Sequence, residues 1–534
     1  MAGAAIPLPR IASGAIQDPA TMSNRRKYML FGVMAFGMFM AILDIQIVAS
    51  SLNAIQAGLS AGPEEIAWVQ TSYLMAEIVM IPLSAFLVRA ISTRWLYAGS
   101  AALFTLASMM CGLATSIDQM IFFRAIQGFV GGAMIPTAFA TGFILFEGKQ
   151  RALIPGILGL TTTLAPAIGP SVGGWVTESL SWHWLFFMNV IPGVAITIFI
   201  PILGRIDSGD ISLLKRIDWL HLISLIFFLA GLQYVLEEGP LHDWFHEIKV
   251  AVAGLCSLVG AFVFFERCLF SEHPLVSLKP FKRRTFAIAC VLNTVIGFGL
   301  YASIYLVPLF LGRVRGFNSQ EIGSTIFVFG VSMAFSIPII AILSQRIDPR
   351  VLITLGLAAF ATSLWMTTGI TSQWGFDALF WSQALRGASM MFCSVPAVAF
   401  GISTAPPEEL GDASGLFNLM RNVGGALGIA LVTSWLNDLT HIHWLYLSEA
   451  MASAPQGANE MLVGMSSIMG QFTADTANAT LMAQSVLNRI MTREAMTGAF
   501  DVAFGRMAML FVAVIPLALL AKAPKLGDEA VAVH

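Results

Sequence analysis

The chain has 534 residues, of which 57% are hydrophobic and only 11% charged, and its mean hydropathy is +0.78. That balance excludes a water-soluble globular protein, and a formal net charge of -2 without a clustered basic surface gives no footing for a nucleic-acid partner. The fold class expected is an all-α membrane protein, because helices satisfy their own backbone hydrogen bonds in lipid.

Residues 1–26 are expected to form a cytoplasmic tail: the first 24 are small, polar and proline-containing, with no apolar core ahead of a cleavage site. A membrane span takes about 20 mostly apolar residues. Fourteen such segments follow, at 28–50, 67–88, 95–116, 119–143, 152–176, 184–204, 218–236, 248–266, 286–310, 322–343, 351–370, 377–402, 412–435 and 502–521. With the N-terminus inside, about 20 of the 29 Lys and Arg fall in cytoplasmic segments, among them Arg25, Arg26, Lys27, Lys149, Arg151, Lys215, Arg216, Lys279, Lys282, Arg283 and Arg284. Both termini are therefore expected on the cytoplasmic side. The five cysteines lie in or at the edge of spans, with no disulfide framework and no zinc spacing.

Charged side chains inside spans are costly and usually functional. Asp44 lies near the outer end of span 1, Glu77 near the middle of span 2, and Arg124, Arg386 and Arg421 in spans 4, 12 and 13. At about 1.5 Å per residue, Asp44 is roughly 9 Å from the outer surface and Arg124 roughly 8 Å, so they share a level; Glu77 is about 14 Å deep. An Asp44–Arg124 pair would hold the carboxylate ionised, and breaking the pair would leave the acid to take a proton. Glu77 is a candidate for a second titrating site or for the anion that attracts a cationic substrate. Arg386 and Arg421 read as structural arginines that hold backbone carbonyls.

Span 5 carries Pro166 and Pro170 with Gly169, Gly173 and Gly174. Two prolines would break a soluble helix, but a membrane helix keeps them when neighbouring helices satisfy the freed carbonyls, so a bent and closely packed span is predicted. Bends of this kind suit a transporter whose helical bundles rock. Gln46, Gln70, Tyr73, Asn293, Tyr301, Tyr305 and Asn418 are polar or aromatic residues inside spans that could line a substrate cavity. Gly128, Gly131, Gly132, Gly424, Gly425 and Gly428 read as close-packing positions. His441, His443 and Asp438 offer no fourth metal ligand, and no metal is expected.

Arg124-Ala125-Ile126-Gln127-Gly128 resembles Gln383-Ala384-Leu385-Arg386-Gly387, and the basic loop 89–94 has a weaker echo at 346–350. Two matches in the same order predict two related bundles of six spans. The organisation expected is a first bundle over 27–204, an inserted helix pair and connector over 205–285, a second bundle over 286–521, and a cytoplasmic tail over 522–534. The second bundle includes an external loop over 437–501 whose later part, from Thr473, has helical composition.

At these motifs the chain resembles the major facilitator superfamily, in particular its 14-span drug:proton antiporters of the EmrB/QacA type, over nearly all of Lys27 to Lys522. Leu43-Asp44 with Ile47-Val48 resembles the first-span signature, Arg124 to Gly132 with Gln127 and Gly128 the proton-linked motif, and Pro166 to Gly174 the antiporter motif. Trp182 to Asn189 with Pro192-Gly193 resembles the start of span 6, and Gly411-Asp412-Ala413-Ser414-Gly415 with Asn418, Arg421 and Gly424-Gly425 the span 13 signature. The loop after span 2 departs from the family's Gly-x-Leu-x-Asp-Arg-x-Gly-Arg: Ala85 to Arg94 lacks both glycines and the acid, so a different latch between the bundles is expected. Gln46, Ala49 and Asn53 stand where the branch often has Thr, Asn and Pro.

The resemblance implies proton influx driving export of amphipathic toxic compounds across a bacterial inner membrane, with no cofactor beyond the proton gradient. For Gram-negative EmrB-like permeases it implies a periplasmic adaptor and an outer-membrane channel as partners, with adaptor contact expected at the loop after span 13. A dedicated exporter of one metabolite, such as a fatty acid or siderophore, is the alternative on the same scaffold; a non-transporting membrane sensor ranks behind it. An enzyme is not expected, since no nucleophile–base pair, metal cluster or nucleotide loop is present.

Overall fold

The structure is a computed structural model that describes residues 22–151, 153–271, 274–344, 346–402, 405–471 and 475–520. Most of the expected N-terminal tail, 1–21, and the C-terminal tail lie outside the described residues. No strand occurs among the described residues. The long helices, labelled in chain order, are Asn24–Ala49 (α1), Pro63–Ile91 (α2), Thr93–Gly112 (α3), Ile117–Leu145 (α4), Ile154–Ser179 (α5), Trp184–Leu203 (α6) and Trp219–Glu238 (α7). They continue with Ile248–Phe270 (α8), Arg284–Phe310 (α9), Ser319–Leu343 (α10), Pro349–Trp365 (α11), Phe376–Ile402 (α12), Leu410–Ser453 (α13) and Thr476–Leu520 (α14). Among the described residues, 12 helices are long and apolar enough to cross a bilayer, and Ile154–Pro166 and Pro349–Trp365 are shorter apolar helices. The chain is a multi-pass membrane protein.

Packing follows the internal repeat. The pairs α1–α5, α2–α4, α3–α4 and α3–α6 recur eight helices later as α9–α13, α10–α12, α11–α12 and α11–α14. Between the two sets, α5 packs on α10 and α2 on α13, so each set offers equivalent helices to the other. The repeated glycines explain the closeness of the equivalent pairs: Gly128 on α4 lies against the Tyr73 carbonyl of α2, and Gly387 on α12 against the Phe329 carbonyl of α10. A side chain at either glycine would meet backbone, which cannot swing aside. Helices α7 and α8 have no counterpart in this scheme. They pack on each other, α7 also touches α2 and α13, and α8 turns Leu258 and Phe262 outward, 71% and 77% exposed, as only lipid would allow.

The external loop expected over 437–501, whose later part from Thr473 is expected to be helical, is helical over most of its earlier part as well. α13 runs on to Ser453, a helix spans Pro455–Met469, and α14 already begins at Thr476, 26 residues before the expected span 14. The Ala- and Met-rich composition favours helix without being apolar enough to read as membrane. The extensions are clasped by a hydrogen bond from Trp444 Nε1 to Asn488 Oδ1 at 3.2 Å.

Candidate functional site

Asp44 on α1 and Arg124 on α4 meet, both fully buried, with Arg124 Nη1 donating to Asp44 Oδ2 at 2.5 Å. The other carboxylate oxygen accepts from Gln127 Nε2 at 3.1 Å and from Asn189 Nδ2 at 2.7 Å. Gln127 is one turn from Arg124 and accepts from its Nη1 at 2.9 Å, while Arg124 Nε donates to the Val69 carbonyl of α2 at 3.2 Å. The guanidinium carbon lies 4.2 Å from the centroid of the Tyr73 ring. Side chains of α4 and α6 thus converge on one carboxylate of α1, and α2 holds the arginine that pairs with it. Such a cluster is strong when every lone pair is served and costly when one partner leaves. Asn189 and Ser108, which share a hydrogen bond at 3.1 Å, complete it and were not separable by sequence reasoning from ordinary loop and helix polars.

Next to this cluster, between the two sets of helices, is a cavity of about 600 Å³. Gln46, Gln70, Glu77, Tyr301 and Tyr305 line it, as do Asn53, Gln233, Glu237 and Asn422; no Lys, Arg or His is among the lining residues. Glu77 is 2% exposed, and Gln70 Oε1 is buried without a hydrogen-bond partner. Three expected cavity residues are placed elsewhere. Tyr73 lies under Arg124 with its hydroxyl donating to the Ala41 carbonyl, Asn293 donates to the Phe417 carbonyl at 2.7 Å, and Asn418 donates to the Ser414 carbonyl at 2.9 Å. Each is buried and occupied with backbone, the ordinary fate of a polar side chain whose helix face turns to a neighbour.

The α5 prolines shape the wall beside this cavity. Pro166 has no N–H to give to the Thr162 carbonyl one turn earlier, and Arg421 of α13 takes that carbonyl with Nη2 at 3.2 Å while Nη1 donates to Thr162 Oγ1 at 2.6 Å. The freed backbone group is therefore satisfied from the opposite set of helices. Pro170 lines the cavity, Gly169 lies against Gln46, Gly173 packs on Ile47 and Ser50 of α1, and Gly174 is buried. Arg386, which the repeat aligns with Gln127, pairs with no carboxylate among the described residues: it donates to Thr367 Oγ1 at 2.7 Å and lies 5.4 Å from the Phe504 ring.

Where α2 ends and α13 begins, Arg89 Nη1 meets Asp412 Oδ2 at 2.9 Å. Arg89 occupies the position of the acid in the usual loop pattern, and it joins the two sets of helices through an acid. The connector after α6 braces the same loop: Asp210 N–H donates to the Arg89 carbonyl and Asp207 accepts from Thr93 N–H and Oγ1 at 2.8 and 2.6 Å. Burial pushes the Asp207 carboxyl above its ordinary value.

A helical repeat packed about a largely apolar cavity, with a charged cluster sealed in lipid-spanning helices, defines a membrane carrier by its architecture. The family profile described as Major Facilitator Superfamily matches residues 34–429, and the chain belongs to that superfamily. It is 40% identical over 472 residues to the colistin resistance protein EmrB of Acinetobacter baumannii, covering 88% of this chain and 92% of that protein. It is 28% identical to the multidrug export protein EmrB of Escherichia coli K12, over 77% of this chain and 81% of that one. It is 26% identical to the fatty acid resistance protein FarB of Neisseria gonorrhoeae, over 92% and 95%. Among solved structures, the crystal structure of the human organic anion transporter MFSD10 (TETRAN) shares the fold, with a TM-score of 0.58 at 12% identity, over 93% of this chain and all of that one.

Proposed function

We propose that this protein is a proton-coupled antiporter that exports amphipathic drugs or other toxic compounds, the gradient being its energy source and no cofactor being needed. The observation that carries the reading is the sealed Asp44–Arg124 pair lying beside an apolar cavity that holds a carboxylate and no basic lining residue. A protonatable group and a substrate site that share helices α1 and α2 can be coupled through one conformational change. The relatives named for multidrug export and colistin resistance support it. The alternative, a dedicated metabolite exporter, gains support from the relative named for fatty acid resistance. An acidic cavity without a cation is a poor seat for a fatty acid anion, which weighs for the first reading.

Membrane organisation follows the same proposal: 14 spans, obtained by counting α5 and α11 with the 12 longer apolar helices, arranged as two six-span bundles around the inserted pair α7 and α8. Both termini face the cytoplasm and the membrane is the bacterial inner membrane.

The test is proteoliposomes carrying a pH gradient and ethidium as the transported cation. Wild type is expected to move dye only with the gradient, and Glu77→Gln to reduce transport at least tenfold. Dye movement that ignores the gradient, or none with any of a panel of lipophilic cations, would overturn the reading. For the helical hairpin beyond α13, contact with a periplasmic adaptor leading to an outer-membrane channel is proposed. Replacing residues 448–482 by a short turn is expected to leave transport in proteoliposomes unchanged and to abolish resistance in cells; unchanged resistance would remove the adaptor from that site.

A further inference from the structure

The cavity receives a second carboxylate from the inserted helix. Glu237 on α7 lines it together with Gln233 and Leu236. α7 is seated on α2 by the Trp68 and Tyr234 rings, 5.6 Å apart, and the side chains of Thr71 and Gln233 lie beside the Glu237 carboxylate. Its Oε2 is nonetheless covered and without a hydrogen-bond partner. Glu77 lines the same cavity, almost wholly buried, and makes no hydrogen bond or ion pair with any described residue. The cation whose field reaches it, Arg124, is already held by Asp44.

Two acids with these surroundings lack something. Carboxylates that are withdrawn from water and unpaired are costly, and neither has a counter-ion in the lining. Thr71, beside Glu237, and Glu77 are six residues apart on α2, which places the two points of attachment about 9 Å apart along that helix. The wall between them is apolar and aromatic, with Leu74, Ile304, Tyr301 and Tyr305 able to hold a flat hydrophobic body or stack on a cation. One positive centre could answer only one of the acids. A molecule with two positive centres on an apolar frame answers both.

We propose that Glu77 and Glu237 form a two-point site for amphipathic dications, in which the inserted helix α7 supplies the second point. The inference deepens the export reading and rests on it. It also gives α7, which has no counterpart in the repeat, a part in choosing substrate.

The experiment measures binding of ethidium, with one positive charge, and propidium, which adds a second cationic arm to the same ring system, to the purified full-length protein by fluorescence. Wild type is expected to bind both and to prefer propidium. Glu237→Gln should weaken propidium about tenfold and leave ethidium within about twofold, whereas Glu77→Gln should weaken both. Glu237→Asp, which keeps the charge, should keep the preference. If Glu237→Gln does not fold, Gln233→Lys places an ammonium beside Glu237 and is expected to erase the preference in the same way. Wild type that binds both dyes, with a preference untouched by these changes or with both dyes weakened equally, overturns the two-point site alone. Wild type that binds neither overturns the cation-export reading and the two-point site together.

Discussion

Asp44→Asn is expected to abolish gradient-driven export while leaving substrate binding in the cavity intact. The reason lies in which atoms face the carboxylate. Oδ2 meets the Arg124 guanidinium and Oδ1 meets the amide hydrogens of Gln127 and Asn189, so every neighbour is a donor. An asparagine carries one oxygen and one NH₂, and whichever way it turns, a donor faces a donor. Arg124, with no exposure to water, is then left with an uncompensated charge, a change that costs about 3–5 kcal/mol in a buried pair. The cluster should loosen as it would when Asp44 takes up a proton, but without a proton to release, and the transport cycle stops. Dye binding should change less than twofold, because Asp44 is not among the cavity-lining residues. A purely structural pair predicts something different: the double variant Asp44→Asn with Arg124→Gln would remove both charges and recover transport as well as thermal stability. Recovery of coupled transport in that double variant would falsify the coupling role.

Sequence reasoning reached this pair because it used depth, and depth is a one-dimensional quantity that hydropathy reports well. It also reached the α5 prolines, since the need to satisfy a carbonyl freed by Pro166 follows from covalent structure alone. What it could not supply was rotation about each helix axis. Tyr73, Asn293 and Asn418 read as cavity residues because they are polar or aromatic inside spans, yet Tyr73 and Asn293 face neighbouring helices and Asn418 turns back on the Ser414 carbonyl of its own helix. Glu237 was passed over for the opposite reason: Glu237-Glu238-Gly239-Pro240 looks like the polar end of a span, and α7 in fact runs through Glu238 with Glu237 turned toward α2. Of the helical hairpin after α13, the later arm is legible from its Ala-, Met- and Leu-rich composition, since these are good helix formers, whereas the run of α13 to Ser453 and the helix Pro455–Met469 are not. Contacts between the two halves of the repeat, such as Arg421 with Thr162, join residues 259 apart, and no local pattern encodes them.

The Arg89–Asp412 latch between the two sets of helices is the second place where a large effect is expected. Arg89 and Asp412 join the ends of α2 and α13, while Ala85 lies beside Gly411 and the Ile81 carbonyl beside Gly415, so this end of the interface between the halves is closed. The cavity, by contrast, is lined by the far end of α1 and the residues after it, from Ile45 to Asn53. The structure is thus shut at the Arg89–Asp412 end, and opening there would break the ion pair. Asp412 is 6% exposed but Arg89 is 38% exposed, so water screens the pair and its loss should amount to about 1–2 kcal/mol, below the cost of breaking a fully buried one. That shifts the balance toward a state open at this end about five- to thirtyfold. Arg89→Asp should shift it further, since two carboxylates then face each other, and both changes should slow export because the return to the state closed here becomes unfavourable. The measurement is the distance distribution between spin labels on the Arg89 end of α2 and the Asp412 end of α13. Asp412→Asn should broaden it to longer distances, and Arg89→Asp combined with Asp412→Arg, which swaps the two charges, should return both the short distance and the transport rate. Because the swapped pair tests attraction rather than the identity of either residue, failure of the double variant to recover would mean that the closed face is held by the packing of Ala85 on Gly411 and not by charge.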